Sequence, residues 1–198
     1  MKTLGKISIA IALFAMLLLP ALGNAAVATD QLRGTIDAVI EVLKNPALKG
    51  DAKKTERRAK IRGVIAGRFN YTEMAQRTLG KHWQERNAQE KEEFAKLFGA
   101  LIENSYISKL EGFTNEKVLY SAENIVQSSA LVKTRIVTTK GTEIPVDYKL
   151  IDKGGNWMVY DVVIEGVSLV ANYRTQFNKT LMQSSFDELV KQLKTKTS

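Results

Sequence analysis

The sequence predicts an α+β fold in which helices precede and follow a run of antiparallel strands. Three observations predict it. Apolar residues recur at spacings of three and four up to Leu110, as Phe94, Leu97, Phe98, Leu101 and Ile102 illustrate. Between about residues 116 and 164 the period falls to two. It then returns to the helical period at Val170, Tyr173, Phe177 and Leu181. Helices segregated from a meander of strands pack as layers on one sheet.

The chain opens with a segment that is not expected in the mature protein. Lys2 and Lys6 precede an apolar run from Ile7 to Leu19, Pro20 ends it, and Gly23-Asn24-Ala25 supplies small residues. That is the pattern of a cleaved export signal, residues 1–25. The run is shorter than the roughly 20 apolar residues a membrane span needs. Residues 26–198 are then expected to form one domain, since the chain has three prolines and no low-complexity linker.

Leu32, Ile36, Val39 and Leu43 mark a first helix, closed by Asn45-Pro46. Residues 51–66 read as a second, very polar helix. The third runs from about Ala88 to Leu110, with Asn87 and Glu90 in capping-box spacing and Gly112 as its stop. Candidate strands cover 116–121, 124–127, 130–139, 142–151 and 156–164. Gly154-Gly155-Asn156 joins the last two as a hairpin. Pro145 points to an edge or a bulge. In the last strand strict alternation puts Trp157, Val159 and Val163 on one face and Met158, Tyr160, Val162 and Ile164 on the other. Both faces then need apolar cover, from ordinary core or from a bound apolar ligand. A final amphipathic helix starts near Ser185, with Glu188 in capping-box spacing.

Composition excludes several chemistries. With no cysteine there is no disulfide scaffold, thiolate zinc site, cysteine nucleophile or lipidated N-terminal cysteine. A lone histidine, His82, excludes multi-His metal sites and argues against a Ser-His-Asp triad. No phosphate-binding loop, calcium loop or HExxH is present. Gly166-Val167-Ser168 begins like a nucleophile elbow, but Val170 stands where the last glycine is needed, so Ser168 reads as a helix cap. Asp161 and Glu165 are a possible carboxylate pair; capping or a salt bridge to Arg174 is the expected use. Neither a metal nor a cofactor is expected.

The net charge of +8 includes the two lysines of the export segment. Basic residues concentrate at 49–62, where Lys53, Lys54, Arg57 and Arg58 form the core of a patch. It reads either as a solvated helix face or as a surface that meets anionic headgroups or an acidic protein. Nucleic acid is not expected, because the segment lacks interleaved aromatics and belongs to an exported chain.

Two blocks carry a resemblance. One comprises Phe69-Asn70-Tyr71, Met74-Ala75, Leu79-Gly80-Lys81-His82-Trp83 and Gln89-Glu90-Lys91; the other is WMVYDVVIEGVSLVANYRTQF, from Trp157 to Phe177. In this order and spacing they resemble the MlaC family of periplasmic phospholipid-binding proteins, also called toluene-tolerance proteins, over roughly residues 30–194. The resemblance implies an NTF2-like curved antiparallel sheet packed with N-terminal and C-terminal helices, enclosing an apolar lipid pocket. It implies a non-enzymatic carrier that shuttles phospholipid between an outer-membrane lipoprotein complex and an inner-membrane MCE-protein ABC transporter, maintaining outer-membrane lipid asymmetry. The expected pocket residues are Val132, Ile136, Val146, Tyr148, Trp157, Val159, Val167, Leu169, Val170 and Tyr173, with Asp161 and Arg174 as framework. The alternatives are an exported small cone-fold enzyme acting on an apolar substrate, and a pocketless adaptor of a membrane complex.

Overall fold

The computed structural model describes residues 27–113 and 115–197. The expected export segment lies outside the described residues. Among the described residues, six α-helices and five strands follow one another as α1 (Val27–Lys44), α2 (Lys54–Ala66), α3 (Tyr71–Leu79), α4 (Ala88–Glu111), β1 (Lys117–Val126), β2 (Ser129–Val137), β3 (Glu143–Asp152), β4 (Trp157–Ile164), β5 (Val167–Ser168), α5 (Leu169–Gln183) and α6 (Phe186–Thr197). The strands form one antiparallel sheet in the order β1-β2-β3-β4-β5. This is the expected α+β arrangement of a sheet flanked by helices at both ends of the chain. No helix among the described residues is long and apolar enough to cross a membrane.

Local chemistry sets the element ends. The Asn87 side chain accepts from the Glu90 N–H at 2.9 Å, and Glu90 accepts from the Asn87 N–H at 2.8 Å, so the capping box of α4 is complete. Helix α3 has no counterpart among the sequence-predicted elements. It is nine residues long, and Asn70 caps it by accepting from the Glu73 N–H. Gly99 on α4 is what lets α3 approach. A Cβ there would meet the Tyr71 ring at 3.0 Å, so tight that the ring would have to give way. Tyr71 then donates to Glu103 at 2.8 Å.

Two bulges correct the alternation read from the sequence. The segments 116–121 and 124–127 are one strand, β1, because Tyr120 pairs with Thr134 and Ala122 with Lys133, leaving Ser121 as the extra residue. In β4, Val159 pairs with Leu150 and Asp161 with Lys149, so Tyr160 is the extra residue. Each bulge resets the side-chain phase. Val162 and Ile164 consequently share a face with Trp157 and Val159, contrary to strict alternation. Pro145 is also not on an edge. It sits near the start of central β3, and its carbonyl accepts from the Glu165 N–H just beyond the β3–β4 ladder.

The core has three parts. Helices α3–α6 enclose an aromatic cluster in which Phe98 and Phe177 lie 5.8 Å apart, edge to face. Helix α1 covers one face of the sheet through Ala28 and Leu32. Val39, Ile61 and Ile107 join α1, α2 and α4.

The polar helix α2 is tied down by ions. Arg57 and Arg58 both reach Glu111 at the end of α4, at 2.7 Å and 2.6 Å. The hydrogen bonds from Arg58, and with them those from Arg57, hold the Glu111 carboxyl below the usual glutamate value. A depressed carboxylate contributes stability above its unfolded pKa of about 4.3 and loses it as pH falls through the folded value. Glu111→Gln should therefore lower the melting temperature near neutrality. The difference from wild type should shrink in acid below about pH 4, as read by thermal melts across pH.

Candidate functional site

The register places a single ordered set of side chains on the face of the sheet that meets α1. They are Val118, Tyr120, Glu123 and Ile125 on β1, Ala130, Val132, Thr134 and Ile136 on β2, Ile144, Val146, Tyr148 and Leu150 on β3, and Trp157, Val159, Val162 and Ile164 on β4. Apart from Glu123 and Thr134, the set is apolar or aromatic. Thr134 satisfies its hydroxyl by donating to the Val146 carbonyl at 2.5 Å.

Cover is uneven along this face. Toward the β1–β2 and β3–β4 turns it is dry: Leu150 and Val159 are fully buried, and so is Val132. There α1 is pinned to the sheet. Arg68 donates to Gln31 at 2.8 Å, to Asn156 at 2.7 Å and to the Trp157 carbonyl at 2.7 Å, while Gln31 accepts from the Trp157 N–H. Burial lowers the Arg68 pKa. Thr29, at the start of α1, donates from its N–H and its hydroxyl to Glu123 on β1. Toward the β2–β3 and β4–β5 turns the cover thins. Ile136, Ile144 and Ile164 are only partly buried, as are Tyr120 and Tyr148 beside them. Tyr106 of α4 packs against the same cluster. An apolar strip between sheet and helices, closed at one end and thinly covered at the other, suits a long apolar ligand.

Two surface depressions lie elsewhere. One of about 500 Å³ is lined by Asp37, Ile40, Glu41, Lys44 and Asn45 of α1 and its cap. Another of about 420 Å³ is lined by residues that include His82, Lys81 and Arg174. The first carries four charged or amide side chains on its wall, and the second sets Lys81, Arg174 and Asn178 beside Leu79 and Met182; an acyl chain in either would lie against charged groups that it desolvates without return. The sheet strip is therefore the stronger candidate.

The sequence-expected residues divide. Val132, Ile136, Val146, Tyr148, Trp157, Val159 and Leu169 come together in the sheet cluster. Val170 and Tyr173 do not; they pack with Phe98 and Phe177 in the helical cluster. Helical periodicity marks them as buried but not against which layer. Val167 belongs to neither cluster and is 56% exposed, because Glu165 and Gly166 both take positive φ and turn the chain outward there. Ile144, Ile164, Tyr120 and Tyr106 are neighbours the sequence reading misses. The bulge at Tyr160 hides Ile164, and that at Ser121 interrupts the alternation around Tyr120.

Asp161 caps a helix, as expected, but its ion partner differs. Its carboxylate accepts from Ser168 at 2.7 Å, from the Val170 N–H at 3.1 Å and from Lys149 at 3.1 Å. Ser168 caps α5 in turn by accepting from the Ala171 N–H. Arg174 donates instead to the Arg77 carbonyl at 2.7 Å. With three donors on it, Asp161 is engaged as framework. Among the described residues, no group of three or more acidic or histidine side chains is placed to hold a metal ion.

The basic patch is also divided. Arg57 and Arg58 are engaged by Glu111, and Lys53 by Glu56 at 2.9 Å, while Lys54 is exposed. Two of the four expected cations thus serve the joint between α2 and α4.

The family model described as MlaC protein matches residues 33–195. The chain belongs to the MlaC family. Among MlaC-family relatives, the intermembrane phospholipid transport system binding protein MlaC of Haemophilus influenzae is 24% identical over 143 residues, covering 70% of this chain and 67% of that protein. A solved structure shares the fold: the phospholipid-binding protein from Ralstonia solanacearum, determined in complex with a phospholipid. It has a TM-score of 0.78 at 21% identity and covers 86% of this chain and 96% of the other.

Proposed function

We propose that this MlaC-family protein is a non-enzymatic phospholipid carrier of the periplasm. It holds acyl chains on the inner face of the sheet and moves lipid between an outer-membrane lipoprotein complex and an inner-membrane MCE-protein ABC transporter. The observation that carries the reading is the thinly covered apolar strip of Ile136, Ile144, Tyr148 and Ile164, which continues a dry core toward the surface. The Haemophilus relative's name and the lipid-bound Ralstonia structure supply the ligand class.

Energetics favour such a carrier. Each methylene taken from water is worth about 0.8 kcal/mol, so two chains of roughly 15 methylenes resist exposure by on the order of 24 kcal/mol. Free passage across an aqueous compartment is excluded at that cost. A protein that shields the tails removes the barrier without a nucleotide of its own.

The test is lipid content. Protein purified from the periplasm without detergent, extracted with organic solvent and examined by mass spectrometry, is expected to yield phospholipid. It should also move labelled phospholipid between two vesicle populations. A protein that never carries lipid, even after incubation with vesicles, overturns the carrier reading.

A further inference from the structure

Among the described residues, Tyr120 stands out on the inner face of the sheet because its hydroxyl is buried and makes no hydrogen bond of ordinary geometry, although the Arg33 guanidinium lies beside it. Buried hydroxyls normally find one, and an exception calls for a reason. Its surroundings indicate what is missing. The Arg33 guanidinium of α1 lies 4.6 Å from the centre of the Tyr120 ring, with its side chain half exposed to solvent. On the other side, Ile136, Ile144 and Tyr148 begin the apolar strip. The hydroxyl therefore sits at a boundary between an apolar surface and a charged cluster, in which Arg33 faces the Tyr120 ring and pairs with Asp30 at 3.6 Å, and the Asp37 carboxylate also acts on the phenol.

We infer that the Tyr120 hydroxyl is the polar anchor of the lipid site, donating a hydrogen bond to an oxygen at the ester–phosphate junction of a bound phospholipid, with Arg33 facing the phosphate charge. The inference rests on the phospholipid reading above and assigns the polar end of the ligand to β1 and α1. An ester or phosphate oxygen accepts and does not donate, so it matches a phenol that is a donor throughout the physiological range. Burial, with Asp37 next in effect, pushes the Tyr120 pKa up to about 12 against the opposing pull of Arg33, and burial raises that of Tyr148 as well. Tails laid from this point along Ile136, Ile144 and Ile164 would leave the headgroup at the half-exposed Arg33.

The variant Tyr120→Phe removes one oxygen and keeps the ring. Loading from phosphatidylglycerol vesicles, from diacylglycerol and from diphenylhexatriene, a fluorescent hydrocarbon without oxygen, separates the contributions. Tyr120→Phe is expected to lose phospholipid about 5- to 10-fold more readily than wild type and to bind the hydrocarbon equally well. It should melt at or above the wild-type temperature when empty, because a buried hydroxyl that makes no hydrogen bond of ordinary geometry has been removed. Arg33→Gln is expected to weaken phospholipid but not diacylglycerol. Unchanged phospholipid retention in Tyr120→Phe overturns the inference. Equal weakening of phospholipid and hydrocarbon also overturns it, since the ring would then act by packing alone. If wild type takes up hydrocarbon but no phospholipid, the carrier reading falls first and the anchor with it.

Discussion

Ile144→Glu is expected to give a folded protein that purifies empty of phospholipid. Ile144 lies where the cover over the sheet is thin, so a carboxylate there can reach water while still lying in the path of an acyl chain. A retained tail would have to desolvate that charge, and at about 1.4 kcal/mol per tenfold even a partial penalty removes at least ten-fold of the affinity. The paired control is Val159→Glu. Val159 is fully buried, and its N–H and carbonyl are taken by Arg68 and Asn70. An unpaired charge at that position costs several kcal/mol against a total stability of about 5–15 kcal/mol, so this variant should unfold. Circular dichroism and lipid extraction on the same samples check both. A folded Ile144→Glu protein with a full complement of lipid would sink the placement of the tails on this strip.

Asp161→Asn is expected to lower stability by roughly 2–3 kcal/mol, the loss of charge-assisted hydrogen bonds in a buried setting. Asparagine keeps one acceptor oxygen but turns an NH₂ toward a donor, either the Ser168 hydroxyl or the Val170 N–H. The Lys149 contact adds little, because that side chain is 38% exposed and well hydrated. For a domain of this size the change corresponds to a fall in Tm of about 4–12 °C. Lipid retention below that temperature should stay near wild type, because Asp161 lies on the face of β4 away from the strip. A variant that melts like wild type would show that the turn holds itself without this carboxylate.

The sequence by itself determined most of the helical frame, because its signals there are local. The capping box at Asn87, the stop at Asn45-Pro46 and the apolar stripe of α4 lie within a few residues of the positions they govern. The Gly154-Gly155 turn and the switch to period two likewise marked the sheet and the β3–β4 hairpin. Only the tertiary structure decided which side chains face the candidate site. Alternation assigns faces reliably until one extra residue enters a strand, and nothing in the residues around Ser121 or Tyr160 announces a bulge. Past each bulge the phase reverses, which brought Ile164 onto the inner face and joined it to Trp157 and Val159. Partition between cores was equally hidden, since Val170 and Tyr173 are marked as buried by their spacing while the layer they meet depends on how α5 crosses α3 and α4. Charge behaved the same way: 49–62 reads as a basic patch in one dimension, yet Glu111, more than 50 residues away, claims both Arg57 and Arg58 once α2 and α4 lie side by side. Capping, turns and periodicity act over one turn of chain; side-chain phase, layer choice and ion pairing are fixed by contacts between distant segments, so they became visible only in the folded molecule.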